Sequence, residues 1–325
     1  MKTLIATGPG RIEIGEAPTP AFGPRQLLIE THVSAVSPGS ELRGLFEGTR
    51  FPRVGGTGYM GAGVVCAVGG AVTEFAAGDR VQFTTSEPVA PHSEFCVAAP
   101  ESTARIPEGL SFVTAACAYW AVPPYRGILG SGLRYYDDVA VFGLGPLGLC
   151  AVQLLRPLAR RLLAVDAVPF RLGQARELGA DAAVNPEEED LAAVVARLMP
   201  RGADTSFEIA GSQTTLEQAI RIAAPRGRIV LIGVLPALDN FSLFRPYQDK
   251  GIRLIPLFRD GDSLDPAVDR GHRYKEDVLD MIVRGRIDVD RLITWIEPWT
   301  NGPAAIPRLR QARDRAIGLA LTWKA

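Results

Sequence analysis

The run Gly143-Leu144-Gly145-Pro146-Leu147-Gly148 carries the sharpest chemical signal in the chain. It follows the apolar segment "DVAVFG" and opens the longer segment "PLGLCAVQLLRPLA". The pattern predicts a strand, a tight turn and a helix, in that order. In such a turn Gly143 allows the sharp reversal and Gly145 lets the backbone approach a pyrophosphate. Gly148 lets helix and strand pack closely. The helix that begins with Pro146, itself without an N–H, and Leu147 then offers its free N–H groups to the anion. Asp166 ends the segment "LLAVDA", about 20 residues beyond the glycines. A carboxylate there can accept hydrogen bonds from both hydroxyls of an adenine ribose and would repel a 2′-phosphate. NAD(H) is therefore expected over NADP(H). Arg171 lies close enough to reach the ribose. It is expected over the adenine or on a ribose hydroxyl, the alternative being a solvated helix cation.

These residues need a rigid frame, and the sequence around them supplies one. From Asp138 onward strands and helices alternate: "DVAVFG", "PLGLCAVQLLRPLA", "RLLAVDA", "PFRLGQAREL", "AAVN", "TSFEIAG", "TTLEQAIRIA", "GRIVLIGVL". Pro186 is expected to open an acidic helix, "EEEDLAAVVARLM", since proline and acids suit a helix start. Alternation of this kind implies an α/β fold with a doubly wound, Rossmann-type parallel sheet covered on both faces. The first third has another texture. Short strand-like pieces such as "QLLIETHVSAV", "GAGVVCAVG", "DRVQFTT" and "SEFCVAA" sit between turn residues, which reads as an irregular β-barrel. "SFVTAACAYWAVPPYRGIL" looks helical until Pro123 and Pro124 break it. "KGIRLIPLF" is expected as a strand and "YKEDVLDMIVRGRI" as a helix.

The 325 residues allow two domains, with 47% of them apolar and a formal net charge of -1. That balance, and the lack of a polybasic run, give no footprint for nucleic acid or an anionic membrane. Partners are expected to be a small-molecule substrate and other copies of the chain. The N-terminus "MKTLIATGPGRIEIGE" lacks the apolar stretch of a signal peptide. Cys66, Cys96, Cys117 and Cys150 are scattered, without a CxxC pair, as in a reducing cytoplasm. Of the histidines, His32 is expected mid-strand. His92 and His272 fall in loop-like segments, with His92 the better site candidate. "LFRDGDSLDP" has acids near Arg259 but not the spacing of a calcium loop.

Four stretches together resemble the medium-chain dehydrogenase/reductase superfamily, the alcohol dehydrogenase group. They are "VAVFGLGPLGLCAVQLL", "AVDAVPFRLGQARELGAD", "TSFEIAGSQTTLEQAIRIAAPRGRIVLIGV" and "GAGVVCAVGGAVTEFAAGDRV". The resemblance spans nearly the whole chain. It implies a GroES-like catalytic domain at 1–120, a Rossmann NAD-binding domain at 121–275, and a return to the catalytic domain at 276–325. It also implies that Ala210, Gly211, Gly233 and Val234 flank the nicotinamide half of the cofactor.

The departures from the family pattern concern zinc. Where zinc-dependent members carry a cysteine, this chain reads "SPGSE", placing Pro38 or Ser37 there. Where they carry "GHE", it reads Gly58-Tyr59-Met60. The register of the third ligand falls near Tyr119. The four-cysteine lobe that often follows "GDRV" is replaced by "QFTTSEPVAPHSEF". Catalytic zinc takes three protein ligands plus an open position, so neither catalytic nor structural zinc is expected. "SPGSE" and the tyrosine are also similar to the bacteriochlorophyllide hydroxyethyl dehydrogenase branch, without implying its substrate.

The resemblance then leaves Ser40, Tyr59 and Tyr119 as catalytic candidates. Ser40 stands where zinc enzymes keep a hydroxyl for proton relay. The two tyrosines stand at former ligand positions and either donate to a substrate oxygen or plug the space. Glu41 and Arg43 bind a polar substrate or form a surface ion pair, the ion pair being the expectation. Trp120 is expected to line the pocket or pack under it, and His92 to sit in a loop facing the cleft. The implied activity is zinc-independent, NAD(H)-dependent hydride transfer on an alcohol or ketone of a polyol, sugar or specialised metabolite. Two alternatives are a quinone or enoyl reductase and a cofactor-binding protein with little catalysis. The apolar strands "GRIVLIGVL" and "KGIRLIPLF" at a sheet edge invite pairing with a second copy, as in relatives, so a homodimer or tetramer is expected.

Overall fold

The computed structural model describes residues 1–48, 57–85, 90–242, 244–257 and 273–324. The expectations for His272 and for "RDGDSLDP" lie outside them. The chain divides into two compact units, Met1–Tyr119 with His272–Ala325, and Trp120–Gly271.

The first unit opens with an antiparallel hairpin of β1 (Lys2–Gly8) and β2 (Arg11–Glu16). The long strand β3 (Leu27–Val36) follows and leads through a short turn into helix α1 (Ser40–Glu47). Buried and half-buried residues alternate along the first part of β3, and its last four residues are all buried. The strand thus enters the interior just before Ser37. Next come β4 (Met60–Val68), β5 (Arg80–Thr84), β6 (Phe95–Ala98), β7 (Thr103–Arg105) and helix α2 (Phe112–Cys117). Strands β4 and β6 both pair antiparallel with β3.

In the second unit α3 (Val122–Gly130) precedes six parallel strands: β8 (Asp138–Phe142), β9 (Arg161–Val165), β10 (Ala182–Val184), β11 (Ala203–Glu208), β12 (Ala223–Leu231) and β13 (Arg253–Pro256). Their order is β10-β9-β8-β11-β12-β13, a doubly wound sheet whose order reverses beside β8. Every residue of β8 is buried, as a central strand covered on both faces requires. Helices α4 (Pro146–Leu155), α5 (Pro169–Glu177), α6 (Leu191–Leu198) and α7 (Gln213–Ile222) make the crossovers. Phe142, Leu163, Val165, Val194, Leu216 and Ile229 are among the residues of one apolar core.

The last segment returns to the first unit as α8 (Tyr274–Val283), β14 (Ile293–Pro298), α9 (Gly302–Gln311) and β15 (Gly318–Thr322). Strand β15 pairs antiparallel with β3, giving a seven-stranded sheet ordered β14-β15-β3-β4-β5-β7 with β6 also on β3. Leu309, Leu321 and Trp323 from this tail share a core with Leu4, Leu42 and Leu45. The tail is thus built into the same hydrophobic cluster as α1.

Two local expectations need correction. The acidic run does not start a helix at Pro186. Asn185 Oδ1 accepts the Glu187 N–H at 3.0 Å, which holds the run in a turn. Asp190 then caps α6 by accepting from the N–H groups of Ala192 and Ala193. Pro123 and Pro124 do not merely interrupt a helix. They occupy the first turn of α3, where the missing N–H groups cost nothing.

Candidate active site

Local backbone geometry brings the candidate hydroxyls of the first unit together. Gly58 has φ +87°, and a Cβ there would lie 2.8 Å from the His92 ring. Only glycine fits that turn, and it delivers Tyr59 to the start of β4. The Tyr59 carbonyl accepts the Thr85 N–H at 3.1 Å, and the His92 N–H donates to the Thr57 carbonyl at 2.9 Å. At the end of β3 the chain turns through Ser37 into α1, whose first residue is Ser40.

The Ser40 hydroxyl lies 3.4 Å from the Tyr59 phenol oxygen and 3.1 Å from the Ser37 hydroxyl. The Tyr59 and Tyr119 rings meet edge to face with centroids 5.9 Å apart. Ser40 is exposed and both tyrosines are half-buried, so the cluster reaches solvent while most of each ring is packed. Burial pushes the Tyr59 phenol up to about 12, with Tyr119 and the Glu41 charge acting in the same direction. Hydrogen bonds from Ser37 and Ser40 pull the other way without winning. Tyr59 therefore keeps its proton across the neutral range and can act as a donor.

Glu41 and His92 sit elsewhere than the sequence suggests. Glu41 does not form a surface ion pair. It is buried, and its Oε1 lies 2.9 Å from His92 Nε2 while its Oε2 accepts the Ser37 N–H at 3.1 Å. His92 does not face a cleft; it is wholly buried, because Gly58 leaves room for the ring to pack against the turn. His92 Nδ1 meets the Ser34 hydroxyl at 2.8 Å, and Trp323 Nε1–H donates to that hydroxyl at 2.8 Å. Arg43 is half-buried on α1. Trp120 belongs to the second unit, where it is wholly buried in core rather than lining a surface.

Ser34, Trp323 and Lys275 went unnoticed in the sequence. Lys275, on the first turn of α8, is buried; its ammonium donates to Thr84 Oγ1 at 2.8 Å and to the Ser102 carbonyl. The same nitrogen lies 5.7 Å from the centroid of the Tyr119 ring. Burial pulls its pKa down to about 7. A lysine at the start of a periodic helix looks like a solvated cation, so only the fold reveals its burial. Cys96, Cys117 and Cys150 are likewise buried, while Cys66 is exposed.

In the second unit the glycine run forms the turn between β8 and α4. Gly143 has φ +90°, and a Cβ there would lie 2.7 Å from the Ala210 nitrogen. A Cβ on Gly148 would stand 1.8 Å from the Gly143 carbonyl oxygen. A Cβ on Gly145 would meet nothing within 4 Å. Two glycines are thus demanded by the fold, and the third leaves space in front of the α4 N-terminus, which begins with Pro146 and Leu147. That space suits a pyrophosphate. The Asp166 carboxylate braces the turn by accepting from the N–H groups of Leu144 at 2.7 Å and Val168 at 2.9 Å. Arg171 pairs with it at 4.0 Å and is mostly buried rather than a solvated helix cation. Gly211, at φ +68°, and Gly233 approach so closely that a Cβ on Gly233 would lie 2.3 Å from the Gly211 nitrogen. Ala210 and Val234 beside them are exposed.

A family model described as "Zinc-binding dehydrogenase" matches residues 146–273. Alcohol dehydrogenase 1 of Neurospora crassa is 30% identical over 314 residues, covering 86% of each chain. This chain belongs to the zinc-type alcohol dehydrogenase-like medium-chain dehydrogenase/reductases. The fold agrees. A Sinorhizobium meliloti 1021 protein bound to NADP superposes with a TM-score of 0.84 at 22% identity, covering 99% of this chain and 98% of that one. An alcohol dehydrogenase of Escherichia coli CFT073, in complex with NADH, gives 0.86 at 21% identity and covers 99% of both chains. Dehydrogenases of this family use NAD(P)(H).

The glycine turn of this medium-chain dehydrogenase fits such a cofactor, because the open space at Gly145 faces a helix N-terminus. The positions at which the family's zinc would be held do not fit the metal. Ser37 bonds Ser40, Met60 is an apolar buried side chain, and Tyr59 is a phenol held protonated. None offers the thiolate, imidazole or carboxylate that zinc takes. Among the described residues no three His, Cys, Asp or Glu side chains gather where they could hold a metal ion. Among them, too, no helix is long and apolar enough to cross a membrane.

Proposed function

We propose that this dehydrogenase is a zinc-independent, NAD(H)-dependent oxidoreductase of an alcohol or ketone on a polyol, sugar or specialised metabolite. The observation that carries the reading is the contact of Ser40 with a Tyr59 phenol held protonated where relatives would keep a metal ligand. Bound nicotinamide would supply or accept the hydride. The chain's own residues must then manage the substrate oxygen. In ketone reduction Tyr59 donates a hydrogen bond to that oxygen and passes its proton to the developing alkoxide. Ser40, exposed and within reach of Tyr59, returns a proton from solvent. In alcohol oxidation the same steps run in reverse. Tyr119 packs beside Tyr59 with the two rings at 79° to each other.

Asp166 supports NAD(H) as the cofactor. A carboxylate at that position of the fingerprint would repel a 2′-phosphate brought to it, and Arg171, 4.0 Å away, tempers that repulsion. An NADH and NADPH oxidation screen over ketones, quinones and enoyl compounds tests the reading. Ketone turnover with NADH is expected. Turnover confined to quinones or enoyl compounds with NADPH would make it a reductase of another kind, and binding without turnover would make it a cofactor-binding protein.

A further inference from the structure

The buried chain Trp323–Ser34–His92–Glu41 has its hydrogen-bond directions fixed from one end. An indole N–H can only donate, so the Ser34 oxygen is the acceptor from Trp323. Ser34 is wholly buried, and its hydroxyl proton must find an acceptor. Besides Trp323, the contact recorded for that hydroxyl among the described residues is His92 Nδ1. Pointing the proton there makes Nδ1 an acceptor and leaves the ring hydrogen on Nε2, 2.9 Å from the Glu41 carboxylate. Every proton in the chain then has a partner. An imidazolium, or a neutral ring with its hydrogen on Nδ1, would leave the buried Ser34 proton without this acceptor.

We propose that His92 is a positioning residue of the site. Trp323, through Ser34, locks it as the Nε2–H tautomer. In that form it holds the Glu41 carboxylate against the Ser37 N–H, and so sets the Ser37–Ser40 hydroxyl pair on which Tyr59 rests. This role rests on the functional reading given above. It places the far C-terminal residue Trp323 in the support of a hydroxyl cluster contributed by the turn after β3, the start of α1 and the residue before β4. His92 itself does not touch substrate, since its ring is enclosed on all sides.

The tautomer can be read without any assay. Long-range 15N–1H NMR on the full chain labelled at its three histidines, at pH 7, should show His92 as Nε2–H. The signal lost in His92→Gln identifies it. An Nδ1–H or doubly protonated ring would overturn the proposal. Kinetics supply the second reading. In His92→Gln the amide can still donate to Glu41 and accept from Ser34, so kcat should stay within a few-fold. His92→Leu can do neither and should lose on the order of ten- to a hundredfold in kcat with little change in KM. Equal activity of the two variants, or equal loss in both, would reduce His92 to packing and overturn the role. A wild-type chain with the Nε2–H tautomer but no dehydrogenase turnover would refute the functional reading instead, which separates the two failures.

Discussion

The glycine turn of the second unit and the hydroxyl cluster of the first solve opposite problems. At the turn the backbone sets the shape, with the Asp166 carboxylate bracing it, and the glycines matter for the side chains they lack. Gly143 and Gly148 are required because any Cβ would strike the neighbouring backbone, whereas a Cβ on Gly145 would meet only open space. In the cluster the side chains do the work, and the backbone only delivers them. Ser34, Ser37, Ser40, Glu41, Tyr59, His92 and Trp323 come from β3, the turn after it, α1, the residue before β4, the segment before β6 and the end of the tail. The first kind of site is contiguous in sequence. The second exists only after the tail has closed on the sheet.

Changing one atom at a time sharpens that contrast. The largest effect is expected at Tyr59. Tyr59→Phe keeps the ring against Tyr119 and deletes the donor. Loss of one preorganised donor costs about 2.7–4 kcal/mol in the barrier, roughly a hundred- to a thousandfold in kcat. Near-normal turnover on the best substrate of the screen would leave Tyr59 as packing.

Next comes a pair of alanines at the turn. Gly145→Ala adds a methyl group to open space, at a φ of -69° that alanine accepts, so the melting temperature should hardly move. NADH affinity should fall at least about tenfold, a loss of roughly 1.4 kcal/mol, because the methyl occupies the pyrophosphate space. Gly148→Ala should instead lower the melting temperature outright, its Cβ meeting the Gly143 carbonyl. Equal behaviour of the two would erase the distinction between a glycine kept for a ligand and one kept for the fold.

A smaller effect is expected from Asp166→Asn, which removes the charge and keeps one of the two acceptor oxygens that brace the turn. The preference for NADH over NADPH should shrink about tenfold, or roughly 1.4 kcal/mol. Fluorescence titration of both cofactors checks it, and an unchanged ratio would move the discrimination elsewhere.

The effect expected to be smallest on turnover is at Lys275, which acts on stability and its pH dependence. Lys275 titrates near 7 in the folded chain, against the ordinary lysine value of 10.5 that it regains on unfolding. Between those values the unfolded chain binds the extra proton, so this lysine makes stability rise with pH across that window. Below about pH 7 both states are protonated and its full cost is felt. Lys275→Met should flatten the slope and raise neutral-pH stability, as denaturant melts at several pH values would show. An unaltered slope would mean that the lysine is solvated.

How legible each part was follows from the same contrast. The parallel sheet and its crossovers could be read because each element carries its own period and turn. The order of Gly143, Gly145, Gly148 and Asp166 could be read because the turn is local. Ser40, Tyr59 and Tyr119 could be named from family positions, and the fold brings them together. Glu41 was misjudged because a carboxylate followed two residues later by Arg43 looks like a surface pair; its true partner, His92, is far along the chain. Ser34 and Trp323 gave no sign at all, since a serine in a strand and a tryptophan near a terminus have no local pattern. The run from Pro186 misled because only its last acid, Asp190, meets the helix, as its cap, while the glutamates before it lie in a turn.

Metal dependence tests most directly whether a phenol has taken over the task of zinc. Purified protein should be dialysed against a chelator, assayed for metal content, and then assayed with NADH and the best ketone of the screen. Turnover is expected to survive unchanged with zinc far below one ion per chain. Stoichiometric zinc in the starting protein, lost together with activity and restored with it, would contradict the metal-free site.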